Sequence, residues 1–375
     1  MKVWTGRISE FLTRPQRTYN IGWSFRFRDK GLVLRRTWIV LAGVLGAAGL
    51  AGGGSVIRTT DVAPRQALAS PAEGRTSGTW RAPEGTRQVS IWPDGAPDME
   101  DLSQPPESVL TRRTPDAVDG DFSQAVFDVT EPTMTVFPAQ GRSTGAAIIV
   151  FPGGGFRAVV VTLEGTEICN WITKRGVTCI LSKYRVPRSN HYWDEDRGRA
   201  VTPDVPRALQ DAQRTIRLVR SQAPELQIDP GKIGVMGFSA GGYLVAQTSN
   251  IFEPTYTPID EIDRVSSRPD FAIAFFPGHI CRRGGVFDPG LRVTNQAPPT
   301  FLIAAWDDPT NEICNSTLYA RALDQAGVPA EVHLFSTGGH AFGLRRDHSP
   351  DTAWPGLLET WLKERGVLLS RGPRS

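Results

Sequence analysis

Apolar and polar positions along this chain alternate between the repeat of a buried strand and the repeat of an amphipathic helix. Short apolar runs predict strands at residues 88–92, 133–137, 146–151, 177–181, 232–236, 271–276, 300–306 and 330–335. Apolar residues spaced three and four apart predict helices at residues 163–175, 204–221, 314–326 and 354–365, and a further helix follows residue 240. Run 146–151 is apolar throughout, which is typical of a strand buried on both faces.

Strands that alternate with helices predict an α/β fold with a doubly wound, mostly parallel sheet and helices on both of its faces. The helix at 204–221 has the clearest pattern. One of its faces carries Val205, Leu209, Ala212, Ile216 and Val219, and the other carries Arg207, Gln210, Arg214, Arg217 and Arg220. No internal repeat is visible, so we expect one domain of this kind, at residues 86–370.

The N-terminal part of the chain lacks this alternation. Residues 37–57 form an uncharged apolar segment that is long enough to span a bilayer, and Arg35-Arg36 precede it in the manner of an export signal. Ala67-Leu68-Ala69 suits signal cleavage. We expect an export signal or an uncleaved signal anchor at 1–69, then a linker at 70–85. The rest should lie outside the cytoplasm, periplasmic or extracellular, and meet the membrane only through 37–57 if that segment stays uncleaved.

Composition narrows the range of functions. The formal net charge of +3 over 375 residues is too small to indicate a nucleic-acid partner. The five histidines and four cysteines form neither His-Glu-x-x-His nor Cys-x-x-Cys, so we expect no metal site and no cofactor. In an exported protein, Cys281 and Cys314 are expected to form a disulfide, because both follow strands that end at the same edge of the sheet. Cys169 and Cys179 are expected to pack as small buried apolar residues.

One predicted strand leads into Gly237-Phe238-Ser239-Ala240-Gly241 and then directly into a helix. Glycines two residues to either side of Ser239 permit a tight strand-to-helix turn that exposes the hydroxyl group. The pattern alone is weak evidence in a chain with 38 glycines, but the apolar strand before it and the helix after it strengthen the signal. The sequence therefore predicts Ser239 as a nucleophile.

A serine hydroxyl needs a base to take its proton and an acid to orient that base. In a parallel sheet such groups lie on loops at the carboxyl ends of strands. After Ser239, one strand leads into Asp307-Asp308 and the next leads into a glycine-rich loop with His340. The order Ser, Asp, His is that of hydrolases with this architecture. We predict His340 as the base and favour Asp308 over Asp307 as the acid, with Asp307 shaping the turn.

Acyl transfer also needs backbone N–H donors for the tetrahedral oxyanion. The strand at 146–151 leads into Pro152-Gly153-Gly154-Gly155-Phe156, where glycines let N–H groups approach a substrate closely. The predicted donors are Gly154, Gly155 and Ala240, the last at the start of the helix after Ser239.

These segments together resemble the carbohydrate esterases of the α/β-hydrolase superfamily, the acetylxylan and feruloyl esterase-like group. The resemblance covers about residues 86–366. Its motifs are Pro152-Gly153-Gly154-Gly155-Phe156, Lys183-Tyr184-Arg185-Val186-Pro187, Ile228-Asp229-Pro230, Gly237-Phe238-Ser239-Ala240-Gly241-Gly242, Asp308-Pro309 and Gly339-His340-Ala341-Phe342-Gly343. It implies ester hydrolysis by a serine triad and substrates such as acetylated plant polysaccharides. Pro152, Tyr243 and Ala341 depart from common family residues, but no triad position is lost.

Loops near the predicted site carry Glu164, Tyr184 and Arg185, whose polar and aromatic groups suit a hydroxylated carbohydrate. We expect these three residues to contact a small-molecule or polysaccharide ester. The favoured interpretation is an exported serine esterase that removes O-acetyl groups from carbohydrate. Two alternatives stay open: a serine peptidase of the prolyl-oligopeptidase type, and a non-catalytic binding protein with a hydrolase fold. The oligomeric state is not predicted.

Overall fold

The computed structural model describes residues 73–99, 105–113, 122–186, 192–194, 199–201, 207–345 and 350–369. Its strands are β1 (Gly74–Ser77), β2 (Arg87–Ser90), β3 (Ser108–Arg113), β4 (Phe122–Phe127), β5 (Thr133–Phe137), β6 (Ala147–Phe151), β7 (Ala158–Val159), β8 (Thr178–Lys183), β9 (Tyr192–Asp194), β10 (Arg199–Val201), β11 (Ile233–Phe238), β12 (Phe271–Phe275), β13 (Cys281–Arg282), β14 (Val286–Phe287), β15 (Thr300–Ala305) and β16 (Ala330–Phe335). Its α-helices are α1 (Glu167–Thr173), α2 (Arg207–Ser221), α3 (Ala240–Thr248), α4 (Cys314–Gln325) and α5 (Trp354–Glu364). Thr162–Thr166 form a π-helical turn, and Glu261–Arg264 and Pro350–Ala353 form 3₁₀ turns.

Eight strands form the central sheet, in the order β16-β15-β12-β11-β6-β8-β5-β2. Neighbouring strands from β8 to β16 run parallel. Strands β5 and β2 add an antiparallel edge. The predicted α/β fold with a mostly parallel sheet is therefore confirmed.

The order of the strands reverses direction between β6 and β11. From β6 the chain steps outward through α1 to β8, and then returns through α2 past β6 to β11. Because crossovers between parallel strands are right-handed, steps in opposite directions place α1 and α2 on opposite faces of the sheet. Sheets of this kind bind ligands beyond the carboxyl ends of the strands at such a reversal. The loops after β6 and β11 therefore meet where a ligand is expected.

The core lies on both faces of the central strands. Every residue of β6, β8, β11, β12 and β15 is buried, which accounts for their continuous apolar runs. The terminal strand, β16, is half exposed along its length, and Val332 at its centre is 37% exposed.

Helix α2 is buried on nearly all sides, including the face on which the sequence places its arginines. Arg214 Nη1 donates to Asp260 Oδ1 (2.6 Å) and Asp263 Oδ1 (2.9 Å). Arg217 Nη1 donates to the hydroxyl of Tyr256 (3.0 Å). Buried guanidinium groups are tolerated when anions and hydrogen bonds neutralise them, so the polar face of α2 is an internal contact between segments.

A smaller antiparallel sheet, in the order β1-β3-β4-β7, was not predicted from the sequence. Strand β1 lies within the predicted linker, and because all four of its residues are exposed it has no apolar repeat. Trp80 follows it, is buried, and donates its backbone N–H to Glu107 Oε1 (2.7 Å). The chain therefore packs into the domain before residue 86.

Both pairs of cysteines are bonded. The predicted disulfide Cys281–Cys314 is confirmed. The prediction that Cys169 and Cys179 pack as unpaired residues is wrong, because they form a second disulfide. Cys169 lies on α1 and Cys179 on β8, and the helix packs back onto the strand that follows it, which brings their Cα atoms to 5.3 Å.

The predicted export segment at 1–69 lies outside the described residues. Within the described part of the chain, no helix is both long enough and apolar enough to cross a membrane.

Candidate active site

Ser239 occupies the sharp turn between β11 and α3. Its φ of 53° and ψ of −113° are strained values for a residue with a side chain. The turn is possible because its flanking residues lack side chains: a Cβ on Gly237 would lie 2.1 Å from the Gly241 carbonyl oxygen, and a Cβ on Gly241 would lie 1.9 Å from that of Phe151. The spacing Gly-x-Ser-x-Gly is therefore required by the packing of the turn.

The structure brings the three predicted residues Ser239, His340 and Asp308 together. His340 Nε2 lies 3.1 Å from Ser239 Oγ, and His340 Nδ1 lies 2.7 Å from Asp308 Oδ2. Because a carboxylate only accepts, Nδ1 carries the ring proton and Nε2 is left to accept from the serine hydroxyl. The Asp308 side chain is 1% exposed, whereas the ring of His340 remains 17% exposed towards a substrate.

The two adjacent aspartates have different partners. Asp308 Oδ1 accepts from the backbone N–H groups of Thr310 (2.8 Å) and Asn311 (2.9 Å), which leaves Oδ2 facing the histidine. Asp307 Oδ1 accepts from the backbone N–H of Gly339 (2.8 Å) and so fixes the loop that carries the histidine. Asp308 therefore contacts the histidine ring and Asp307 contacts the backbone of the histidine loop, and the role of Asp308 as the acid stays a prediction.

The glycine-rich loop follows β6, immediately beside the turn that carries Ser239. Gly154 and Gly155 both have positive φ, 129° and 62°. The Gly153 N–H is directed away from them, to Glu164 Oε2 (2.6 Å). Ala240 begins α3 at the neighbouring strand end. The three predicted oxyanion donors thus lie on the two loops that meet at the reversal of the sheet.

Two of the predicted substrate contacts are wrong for this structure. Tyr184 and Arg185 are completely buried behind the end of β8. The Tyr184 hydroxyl donates to the Pro152 carbonyl oxygen, and burial raises its pKa. Arg185 Nη2 forms an ion pair with Asp211 Oδ1 (2.9 Å). Both residues stabilise the interior. Their polar groups bind partners inside the protein, and the sequence alone does not identify those partners.

Glu164, the third predicted substrate contact, is also buried, at 3% exposure. It lies under the glycine-rich loop and accepts from the Gly153 N–H. Burial raises the pKa of its carboxyl group to about 7, while the Gly153 N–H and the charge of His340 act in the opposite direction. The residue belongs to the site but does not face a substrate.

The sequence of this region matches a known family. Residues 136–253 match the model of the BD-FAE family. This part of the chain is therefore similar to the BD-FAE family, and the chain resembles α/β-hydrolases of the carbohydrate-esterase type. The matched part contains the glycine-rich loop, Glu164 and Ser239, whereas Asp308 and His340 lie beyond it.

Relatives of this chain include an acetylxylan esterase of Xylanibacter ruminicola, 28% identical over 225 residues, which cover 54% of this chain and 42% of the relative. The chain spans less than half of the length of the curated relatives that it matches. The acetyl ester-xyloside bifunctional hydrolase of Caldicellulosiruptor lactoaceticus superposes with a TM-score of 0.56 at 28% identity, over 76% of this chain and 97% of that one. A thermophilic esterase of Thermogutta terrifontis, solved with butyrate bound, superposes with a TM-score of 0.53 at 25% identity, over 64% of this chain and 92% of that one.

Sequence reasoning missed one polar neighbour of Ser239. Asn311 Nδ2 lies 3.4 Å from Ser239 Oγ and donates to the Phe276 carbonyl oxygen (2.8 Å). Its position three residues after Asp308 is the signal that could have identified it.

Sequence reasoning also missed an aromatic cluster on segments that adjoin Ser239. The ring centroids of Phe156 and Tyr243 lie 6.3 Å apart, and each lies 5.5 Å from that of His279. His279 follows Gly278, whose backbone N–H donates to the Ser239 carbonyl oxygen (3.1 Å). These rings meet only through the fold, since they come from three distant segments.

Within the described residues, one group of potential metal ligands is close enough to share an ion: Cys281, Glu312 and Cys314. Both sulfur atoms are bonded to each other, so neither is a thiolate ligand. This group does not fit a metal ion in its oxidised form.

Proposed function

We propose that this chain is a serine carboxylic-ester hydrolase that removes acetyl groups from a carbohydrate such as xylan. The observation that carries the proposal is the continuous hydrogen-bonded path from Asp308 through His340 to Ser239 Oγ at the carboxyl edge of the sheet. The substrate class is supported by the names of two relatives, an acetylxylan esterase and an acetyl ester-xyloside hydrolase.

Acylation begins when Ser239 Oγ attacks the ester carbonyl carbon. His340 Nε2 takes the hydroxyl proton, and Asp308 stabilises the imidazolium ion that forms. The N–H groups of Gly154, Gly155 and Ala240 hold the tetrahedral oxyanion. Collapse of this intermediate breaks the bond to the sugar oxygen, which receives the proton from His340. The acyl group is then left on Ser239.

Deacylation repeats these steps with water. His340 Nε2 takes a proton from the water molecule, the hydroxide attacks the acyl carbon, and the same N–H groups hold the second oxyanion. Collapse returns the proton to Ser239 Oγ and releases the carboxylic acid. The same base serves both halves of the reaction.

The aromatic cluster of Phe156, Tyr243 and His279 supports a small acyl group. These rings are packed on segments that adjoin Ser239, whereas a long acyl chain would need an extended apolar groove. The esterase of Thermogutta terrifontis, which was solved with butyrate, is in keeping with a short acyl group.

The test is hydrolysis by the wild-type protein and by Ser239→Ala. Loss of the nucleophile should reduce kcat by about 10⁴-fold or more, with no large change in Tm. The substrates are p-nitrophenyl acetate, octanoate and palmitate, acetylated xylan, a feruloyl ester and a peptide p-nitroanilide. Acetyl esters should be preferred. Hydrolysis of the peptide alone would favour the peptidase alternative, and full activity in Ser239→Ala would overturn the mechanism.

We also propose that residues 1–69 export the domain, as a cleaved signal or as an anchor at 37–57. The two disulfides support this, because such bonds persist in oxidising compartments. Fractionation of cells that express the full chain, with N-terminal sequencing of the product, tests both forms. Recovery of an uncleaved protein from the cytosol would contradict the proposal.

A further inference from the structure

The peptide group between Pro152 and Gly153 is held from both sides. The Tyr184 hydroxyl donates to the Pro152 carbonyl oxygen, and the Gly153 N–H donates to Glu164 Oε2 (2.6 Å). This peptide joins β6 to the loop that carries Gly154 and Gly155. Its fixed orientation therefore sets the direction of the next N–H groups along the chain.

Glu164 is also a close neighbour of the nucleophile. A Cβ built on Gly153 would lie 2.8 Å from Glu164 Oε2 and 3.0 Å from Ser239 Cβ. The carboxylate of Glu164 and the side chain of Ser239 therefore lie close to the same glycine, and a side chain at position 153 would not fit between them. The π-helical turn Thr162–Thr166 places Glu164 there, just before α1 begins.

The groups that act electrostatically on Glu164 come from two other segments. They are the ring of His340, from the loop after β16, and the hydroxyl of Tyr184, at the end of β8. Two other buried charged residues of these segments have partners of their own: Arg185 pairs with Asp211, and Glu167 pairs with Arg345. With its pKa raised to about 7 by burial, Glu164 can gain or lose its proton near neutral pH.

We propose that Glu164 is a positioning residue with two actions: its carboxylate fixes the Pro152–Gly153 peptide beneath the oxyanion loop, and its negative charge stabilises the imidazolium ion that forms on His340. The inference rests on the proposed function, because it assigns the imidazolium ion to an ester hydrolysis. It extends that function by adding a second anion, besides Asp308, that acts on the base.

The decisive variant is Glu164→Gln, which keeps an oxygen for the Gly153 N–H and removes the charge. Loss of the anion makes protonation of His340 less favourable, so the acid limb of kcat/KM against pH should move to lower pH by about one unit. The same loss should reduce kcat at the plateau about tenfold, with KM for p-nitrophenyl acetate changed less than about twofold. Glu164→Asp keeps the charge, so its acid limb should stay near that of the wild type even though the shorter side chain reduces kcat.

Glu167→Gln is the matched control, since it removes a buried carboxylate one turn away that pairs with Arg345 instead. Its acid limb should coincide with that of the wild type. The pH dependence is also measured in a second assay, as the rate at which a fluorophosphonate labels Ser239. This assay needs no ester substrate. A Glu164→Gln protein with the wild-type acid limb in both assays, or a Glu167→Gln protein with the same shift, overturns the inference and leaves the esterase intact. A wild-type protein that is neither labelled nor active at any pH overturns the proposed function itself.

Discussion

The buried charged groups along α2 and those at the proposed catalytic edge differ in how their charges are compensated. Along α2, Arg185 and Asp211 are both completely buried and bind each other directly. At the proposed catalytic edge, Glu164 is buried and forms no ion pair with another described residue, and its neighbours His340 and Ser239 exchange protons during the proposed reaction. A buried charge with a full set of partners holds segments together, whereas a buried group with incomplete compensation is able to change its protonation state.

The α2 cluster is built to keep its charges fixed. Asp211 accepts from Trp92 Nε1 (2.7 Å) and from the backbone N–H of Arg185 (2.7 Å), in addition to the guanidinium group. Arg185 Nη2 also donates to Gln210 Oε1 (2.9 Å). The comparison predicts that changes in the two clusters separate stability from activity.

The largest expected effect is at Asp308, the proposed acid of the triad. Asp308→Asn removes the charge that orients and stabilises the ring of His340, so kcat should fall by about 10⁴-fold while the protein stays folded. Asp307→Asn, the adjacent control, loses only its bond to the Gly339 N–H and should reduce kcat by less than about tenfold. Steady-state kinetics on both variants, with circular dichroism to confirm folding, make the measurement. The reverse ranking would exchange the two roles.

A change in the α2 cluster should reduce stability and leave activity nearly unchanged. Asp211→Asn leaves the guanidinium group of Arg185 buried without its counter-charge and should reduce the free energy of unfolding by about 3–5 kcal/mol. The kcat/KM of the folded protein should change little. Glu261→Gln is the control, because its ion pair with Arg264 is exposed and contributes little. Urea unfolding and steady-state assays test both variants. An Asp211→Asn protein of normal stability and low activity would contradict the expected difference between the two clusters.

Glu164, although it belongs to the proposed active site, should make the stability of the folded protein depend on pH. Its pKa is raised from 4.5 to about 7 in the folded protein, so the folded state holds this proton more tightly than the unfolded chain does. The corresponding stability is fully present below about pH 4.5 and is lost as the pH rises through 7, a change of about 3 kcal/mol. Glu164→Gln lacks this term, so its unfolding free energy relative to that of the wild type should increase by that amount between pH 4 and 8. The unfolding free energies are measured by urea titration at several pH values in this range. If those of the variant and the wild type change with pH in parallel, the pKa of Glu164 is not raised.

The sequence could locate Ser239, Asp308 and His340 at one edge of the sheet, because each of them follows an element with a local signal. The glycines around Ser239 are required by contacts within one turn, and His340 and Asp308 each follow an apolar strand. The parallel sheet then brings these strand ends to one edge.

What the sequence did not predict depends on partners that are distant along the chain. Tyr184 and Arg185 carry polar atoms whose partners, Pro152 and Asp211, become neighbours only through the fold. Cys169 and Cys179 meet only because a helix packs back onto its strand. Strand β1 has no apolar repeat because it is exposed, so composition alone made it resemble a linker.

The position of β16 at the edge of the described central sheet has a consequence for how activity is lost on warming. This strand pairs with β15 alone among the described strands, is half exposed, and leads into the loop of His340. Edge strands open by local fluctuation at lower free-energy cost than central ones, so their amide hydrogens exchange with solvent sooner. Ser239, at the end of central β11, stays in place during such openings. The base is therefore expected to leave the nucleophile before the sheet melts, and thermal inactivation should begin below the Tm as a reversible step.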